Sequence, residues 1–316
     1  MSRYLYLSLS LICLSACQTT NVYTNPLTEL SASVIRTKMA IGSISDEVYN
    51  STATNRALAA AANSKRFGTN DLEETIAPEY LQIRVRGLEL IDELAKRLLS
   101  VVDSEAGSEA ATALQTVGDK AQILAKQIDS TSSVVNYAGP VSKLAATVIT
   151  IYDQRKRQEI LQKGVTDGVP QAKLIVSLLK RDFAPKSPTD IQDTLRDELK
   201  QTVTEKIEAY DNMLKLQEKL SNDAKKNPDL INKRFKAIEE IIAAQTALNA
   251  LNSQVVADTL DGLDRTLDNL KSVVENNNNP RSLAIFAAEL SSFSKSSIAL
   301  LEAANGVKRA RQTSTQ

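Results

Sequence analysis

The chain reads as an all-α protein, an elongated antiparallel helical bundle with several long helices and about seven or eight in total. Three observations predict this. From about residue 27 onward apolar residues recur every three or four positions wherever a period is clear. No stretch alternates apolar and polar residues for more than a few positions, as a half-buried strand would. Proline and glycine gather in short connectors between the periodic segments, which suits neighbouring helices packed antiparallel. No fixed-length repeat is visible, so a solenoid is disfavoured.

The elements follow in order. A first helical region over about 27–63 puts Leu30, Val34, Ile41, Ile44 and Val48 on one face and turns alanine-rich at 59–62, which gives a narrow, small-sided seam. Residues 65–75 form a polar connector with Gly68, and Pro78 suits the first turn of the next helix, where its missing N–H costs nothing. That helix, about 78–104, carries Leu81, Val85, Leu88, Ile91, Leu94, Leu98 and Val101. Another is expected over about 108–133. After Gly139-Pro140 a helix over about 140–164 is predicted, with Gly164 and Gly168-Val169-Pro170 marking a kink or short loop before Leu174, Ile175, Leu178 and Leu179. Pro185 and Pro188 bracket the strongest boundary.

Beyond it a coiled-coil-like stripe over 189–226 runs Ile191, Leu195, Leu199, Val203, Ile207, Tyr210, Leu214. Pro228 opens a long element to about residue 275, with Phe235, Ile238, Ile242, Leu248, Leu251 and Leu263 on its stripe and Gly262 as the expected bend. A turn at 276–279 and Pro280 precede a last helix over about 281–309 carrying Phe286, Leu290, Phe293 and Leu300. The organisation is then 1–16 signal, 17–26 tether, 27–184 first half and 189–311 second half. The halves can equally form one continuous domain.

The N-terminus carries a separate message. Arg3 is a short basic region, residues 4–14 form an apolar run of about eleven, and small residues follow, which is the layout of a secretory signal. The run is shorter than the roughly 20 residues a spanning helix needs. Leu14-Ser15-Ala16-Cys17 closes it. An ordinary cleavage site has small residues at −3 and −1, yet Leu14 stands at −3 from Cys17 and only Ala16 is small. Cys13 is a rival, but it follows bulky Ile12 inside the apolar run. The stretch resembles the lipobox of bacterial lipoproteins, over residues 1–17 alone.

That resemblance implies removal of residues 1–16, a diacylglyceryl thioether on Cys17 and an acylated amine. It carries no catalytic residue across. Each buried CH₂ contributes about 0.8 kcal/mol, and two or three chains hold a protein on a membrane stably. Gln18 follows Cys17 rather than Asp, and by analogy with enterobacterial sorting this implies the periplasmic face of the outer membrane. In its general pattern, with no diagnostic motif, the body resembles uncharacterised helical lipoproteins of proteobacteria. The tether 18–26 spans at most ~30 Å when extended, so the body is expected close to that membrane.

Composition removes whole classes of chemistry. Losing Arg3 from 38 basic residues leaves 37 against 38 acidic ones, so no overall field attracts nucleic acid, and none is expected as a partner. Cys13 leaves with the signal and Cys17 is consumed by lipid, which leaves no thiol for a disulfide or a metal. Histidine is absent throughout the chain. With it go the commonest general base, serine–histidine and cysteine–histidine catalysis, and the usual zinc, copper and haem ligand. No cofactor and no metal site are expected. Tryptophan is absent too, which disfavours sugar stacking.

The remaining motifs are weak. Asp258, Asp261, Asp264 and Asp268 fall every three or four residues and line one helical ridge, which could receive a basic partner; the turning glycine and alternate ligands of a calcium loop are missing. Arg155, Lys156, Arg157 and Lys163 form the densest basic patch, read as a wet helix face. Lys308, Arg309 and Arg311 suit the negative end of the last helix. Ser292-Phe293-Ser294-Lys295 has the S-x-x-K spacing of penicillin-binding enzymes without their S-D-N or K-T-G partners, and Phe293 reads as core. Glu73-Glu74 and Glu239-Glu240 offer carboxylates for glycoside hydrolysis, but neighbours point to different helix faces. Residues 138–152 are apolar yet include Lys143 and are short of a span, so they read as a core helix.

The expected function is therefore non-enzymatic. The chain reads as a lipid-anchored periplasmic interaction protein, a scaffold, adaptor or assembly factor, whose partners are the membrane through Cys17 and an unidentified envelope protein. An immunity or exclusion lipoprotein that binds a toxin or transfer apparatus is the alternative. A carboxylate-based cell-wall hydrolase is the alternative of another class. The sequence sets no oligomeric state.

Overall fold

The computed structural model describes residues 22–62, 78–102, 143–144, 157–183, 197, 201, 228–276 and 279–313. Among these, every regular element is an α-helix: α1 (Thr24–Ala62), α2 (Pro78–Val102), α3 (Arg157–Asp182), α4 (Pro228–Ala250), α5 (Ser253–Glu275) and α6 (Pro280–Thr313). The all-α class expected from the periodicity holds. The Cys17 motif, the helix expected over 108–133, the connector at 65–75, the Pro185 to Pro188 boundary and most of the 189–226 stripe lie outside the described residues.

The described residues fall into two units. Unit 1 draws on Met1–Lys38, Ile83–Lys180 and Asp258–Ile298, and unit 2 on Met39–Gln82, Arg181–Ala257 and Ala299–Gln316.

Unit 1 is built from apolar stripes. Leu27, Leu30 and Val34 of α1, Leu88, Ile91, Leu94 and Leu98 of α2, and Leu260, Leu263, Leu267 and Leu270 of α5 are all buried. Phe286 and Phe293 of α6 are fully enclosed with them. Residues Pro280–Ala310 of α6 are long and apolar enough to cross a membrane by length and composition alone. The buried Phe286, Leu290 and Phe293 give part of that apolarity a place in the core.

Cross-helix pairs fix the directions. Ser31 Oγ donates to Asp92 Oδ1 at 2.6 Å and Lys38 pairs with Glu89 at 3.3 Å, so α1 and α2 run antiparallel. Thr259 donates to the Ser296 carbonyl, and Arg265 Nε donates to Glu289 Oε2 at 2.9 Å, so α5 and α6 form an antiparallel pair.

Two expectations need correction. Gly164 and Gly168-Val169-Pro170 were grounds for a kink or loop, but α3 runs unbroken from Arg157 to Asp182 with Pro170 inside it. Each interior glycine costs about 1 kcal/mol and a proline about 3 kcal/mol against alanine. Packing outweighs that penalty: Val165, Val169, Ala172, Ile175, Val176 and Leu179 are buried without exception, and each large aliphatic side chain contributes about 1.5–3 kcal/mol when enclosed. Gly168 also marks a close approach of α2 and α3. A Cβ there would stand 2.8 Å from Leu94 Cδ1 of α2, and one at Gly87 would stand 2.8 Å from Ile175 Cγ2 of α3.

The second correction concerns 228–275, which is two helices, the second of them continuous through Gly262. The break falls at Leu251 and Asn252, where Asn252 Oδ1 accepts from the Val255 N–H at 3.0 Å and so caps α5. Gly262 lies within α5, where its missing side chain lets the Phe293 backbone approach; a Cβ would meet Phe293 Cα at 3.3 Å. In unit 2 the stripe Phe235, Ile238 and Ile242 is exposed, at 58%, 41% and 61%. The buried Leu248 lies about a third of a turn round α4 from that stripe, and the buried Leu251 stands in the break that follows α4. At the other end of the hairpin, Asn279 Oδ1 caps α6 through the Arg281 N–H at 2.9 Å.

Candidate functional site

The acidic ridge is positioned by the amphipathicity of α5. Its leucines at 260, 263, 267 and 270 are buried, and the remaining face carries Asp258, Asp261, Asp264 and Asp268. Across from this face, α3 presents Lys173 and Lys180, seven residues apart and therefore two turns along the same side. Lys180 Nζ lies 2.7 Å from Asp261 Oδ1 and 3.0 Å from Asp264 Oδ2. Lys173 Nζ lies 3.6 Å from Asp264 Oδ1 and hydrogen-bonds Asp268 Oδ2. Asp264 is thus shared by both lysines, and the pairing runs α3 antiparallel to α5.

The electrostatics follow from this geometry. Partial burial works against the charge on Lys173, but the hydrogen bond to Asp268 and the charges of Asp264 and Asp268 outweigh it, so its pKa is raised. Lys180 is raised in the same way: burial opposes, while hydrogen bonds to Asp261 and Asp264 prevail. Farther round α5, Arg265 is raised by its hydrogen bond to Glu289, against a smaller burial effect and with help from the charges of Glu289, Asp261 and Asp258. The side chains of Asp261 and Asp268 remain about half exposed, at 48% and 55%. Ion pairs so open to water contribute about 0–1 kcal/mol each.

Three of the four aspartates expected on one ridge are engaged by lysines of the same unit. Asp258 is exposed. The sequence reading passed over Lys173 and Lys180. The signal that could have found them is their seven-residue interval, which equals that from Asp261 to Asp268.

A second polar cluster, also not anticipated, joins α1 to α6 within unit 1. Arg36 Nη2 donates to Glu29 Oε1 at 2.7 Å, to Ser33 Oγ at 2.8 Å and to Ser294 Oγ at 3.0 Å. Its Nε donates to Ser297 Oγ at 3.0 Å. Ser294 Oγ in turn donates to Glu29 Oε1 at 2.6 Å. The Ser294 hydrogen bond is the main reason the Glu29 carboxyl is held below its ordinary range, with burial opposing and Arg36 and Ser33 adding to the effect. Charge and hydrogen bonds close on one another here, which is the arrangement of an interhelical tie.

The other candidates stand apart. Ser292 and Lys295 are exposed and Phe293 is fully buried, as an amphipathic helix requires. Lys163, Glu239, Lys308 and Arg309 are exposed. Arg155, Lys156, Glu73 and Glu74 lie outside the described residues, as does all of 138–152 except Lys143 and Leu144.

In unit 2 an open groove of about 750 Å³ runs between α4 and α6, lined mainly by alanines together with Gly306, Glu302 and Arg309. Glu302 is the carboxylate among its described lining residues. Among the described residues no cluster of three or more His, Cys, Asp or Glu side chains is placed to hold a metal ion. The chain matches no protein-family model, no curated protein and no solved structure.

Proposed function

We propose that the chain is a lipid-anchored interaction protein of the cell envelope, a scaffold, adaptor or assembly factor held at the periplasmic face of the outer membrane through Cys17. The observation that carries this reading is Leu14-Ser15-Ala16-Cys17 at the end of an apolar run of signal length. The partners are the membrane, through acyl chains on Cys17, and an envelope protein received on the helical body. The body is an elongated antiparallel bundle of about seven or eight helices that works by binding and not by catalysis. The complete absence of histidine and a near-neutral charge support that choice, because they remove the usual acid–base machinery and any attraction to nucleic acid.

The test is Cys17→Ala in cells fed a labelled fatty acid. The wild-type protein takes up label and fractionates with outer membrane, whereas the variant is unlabelled and either uncleaved or soluble. A variant that is still labelled, mature in size and outer-membrane-bound overturns the assignment.

A further inference from the structure

The geometry points to α3 as a conditionally docked helix, one that is helical because it is seated on α2 and α5 and whose docking is weakened by rising ionic strength through the Lys173 and Lys180 ion pairs. The inference goes beyond the proposed function and does not depend on the lipid anchor.

Three observations carry it. First, α3 holds Gly164, Gly168 and Pro170 within seven residues, a composition that defeats an isolated helix. Second, its seat is specific. Leu94 of α2 fills the space over Gly168, and Ile175 of α3 fills the space over Gly87, so undocking removes the contacts that hold the backbone helical. Third, its seam with α5 is electrostatic at the edge. Two lysines face three aspartates, and the side chains of Asp261, Asp268 and Lys173 are about a third to a half exposed, open enough for mobile ions to screen them. The Debye length falls from about 30 Å at 0.01 M salt to about 3 Å at 1 M. Docking and folding of α3 are thus one event, and salt weakens it. Release exposes the apolar side of α3, Val165, Val169, Val176 and Leu179, and uncovers Leu94 beneath it.

Hydrogen exchange of the intact protein, followed by mass spectrometry at about 0.01 M and about 1 M KCl, tests this without any variant. Peptides from 161–180 are expected to exchange at least about tenfold faster than those from 258–275 at low salt, with the ratio rising about tenfold at high salt. Equal protection of the two segments, or a ratio unmoved by salt, overturns the proposal. Pro170→Ala is expected to slow exchange across α3 while leaving α5 unchanged, and failure to do so counts against it. Lys173→Gln with Lys180→Gln is expected to bring α3 at low salt to the wild-type high-salt rate and to abolish further salt dependence. Retained salt dependence in that double variant assigns the effect elsewhere and overturns the role of these lysines.

Discussion

α5 begins on a side-chain cap from Asn252, sends leucines at 260, 263, 267 and 270 into the core, and meets Phe293 of α6 at the bare position of Gly262. Its partner α3 is of similar length, 26 residues against 23, but carries a proline and two glycines in its middle. Propensity and environment conflict in α5 chiefly at Gly262, but in α3 at Gly164, Gly168 and Pro170. The comparison teaches that two adjacent helices of one unit can be equally regular in geometry while owing that regularity to different sources, local sequence in one and neighbours in the other.

The largest effect expected from breaking the comparison is at the α5–α6 contact. Phe293→Ala empties a fully buried ring site, and urea unfolding should show a loss of about 3–5 kcal/mol. Next, Gly168→Val drives methyl groups into Leu94 and adds a β-branched residue to α3. A loss of about 1–3 kcal/mol is expected from overpacking, whereas Gly168→Ala sets a smaller clash with flexible Leu94 atoms against a propensity gain of about 1 kcal/mol and should stay near neutral. If Gly168→Val were as stable as wild type, the interlock of α2 and α3 would not hold.

Asn252→Ala removes the α5 cap and should cost about 1 kcal/mol, seen as faster amide exchange in the first turn of α5 with α6 unaffected. Replacing Lys180 by Met should cost under about 1 kcal/mol, and the difference should vanish at high salt. Because the folded pKa of Lys180 is raised, its contribution is complete below the ordinary lysine range and is lost as pH rises through the folded value.

The smallest effect concerns Glu29. Its folded pKa is lowered, so its stabilisation is complete above the ordinary carboxylate range and is lost as pH falls through the folded value. Glu29→Gln should flatten the acid limb of the stability curve, and an unchanged limb would show that the α1–α6 tie contributes nothing there.

Much of this was legible in the chain. The ends of α2 were close to those expected because Pro78 is a start signal that no tertiary contact opposes. The stripe Leu88, Ile91, Leu94 and Leu98 was read correctly as core, as was Phe293. What escaped was whatever depends on a second helix. Gly168 and Gly262 carry the same local message as any helix-breaking glycine, and only Leu94 and Phe293, distant in sequence, reveal them as sites of close approach. Asn252 was hidden inside an apparently continuous stripe, because periodicity senses burial and does not register a one-residue cap. The aspartate ridge was visible from its spacing, yet its lysines lie 84 and 95 residues away, beyond any local pattern. Arg36, Glu29 and Ser294 are mute for the same reason.

The exchange of knobs between α2 and α3 has a consequence for pairing fidelity. Each helix carries a hole and, seven residues later, a knob: Gly87 then Leu94, Gly168 then Ile175. Run antiparallel, the two patterns are self-complementary, as the halves of a twofold interface are. A slip of one helical turn, about 5.4 Å, would withdraw both knobs together and bring Ile175 against Ile83 or Ile91. The two contacts succeed or fail jointly, so the alignment of α2 with α3 behaves as a two-position lock and not as a sliding surface.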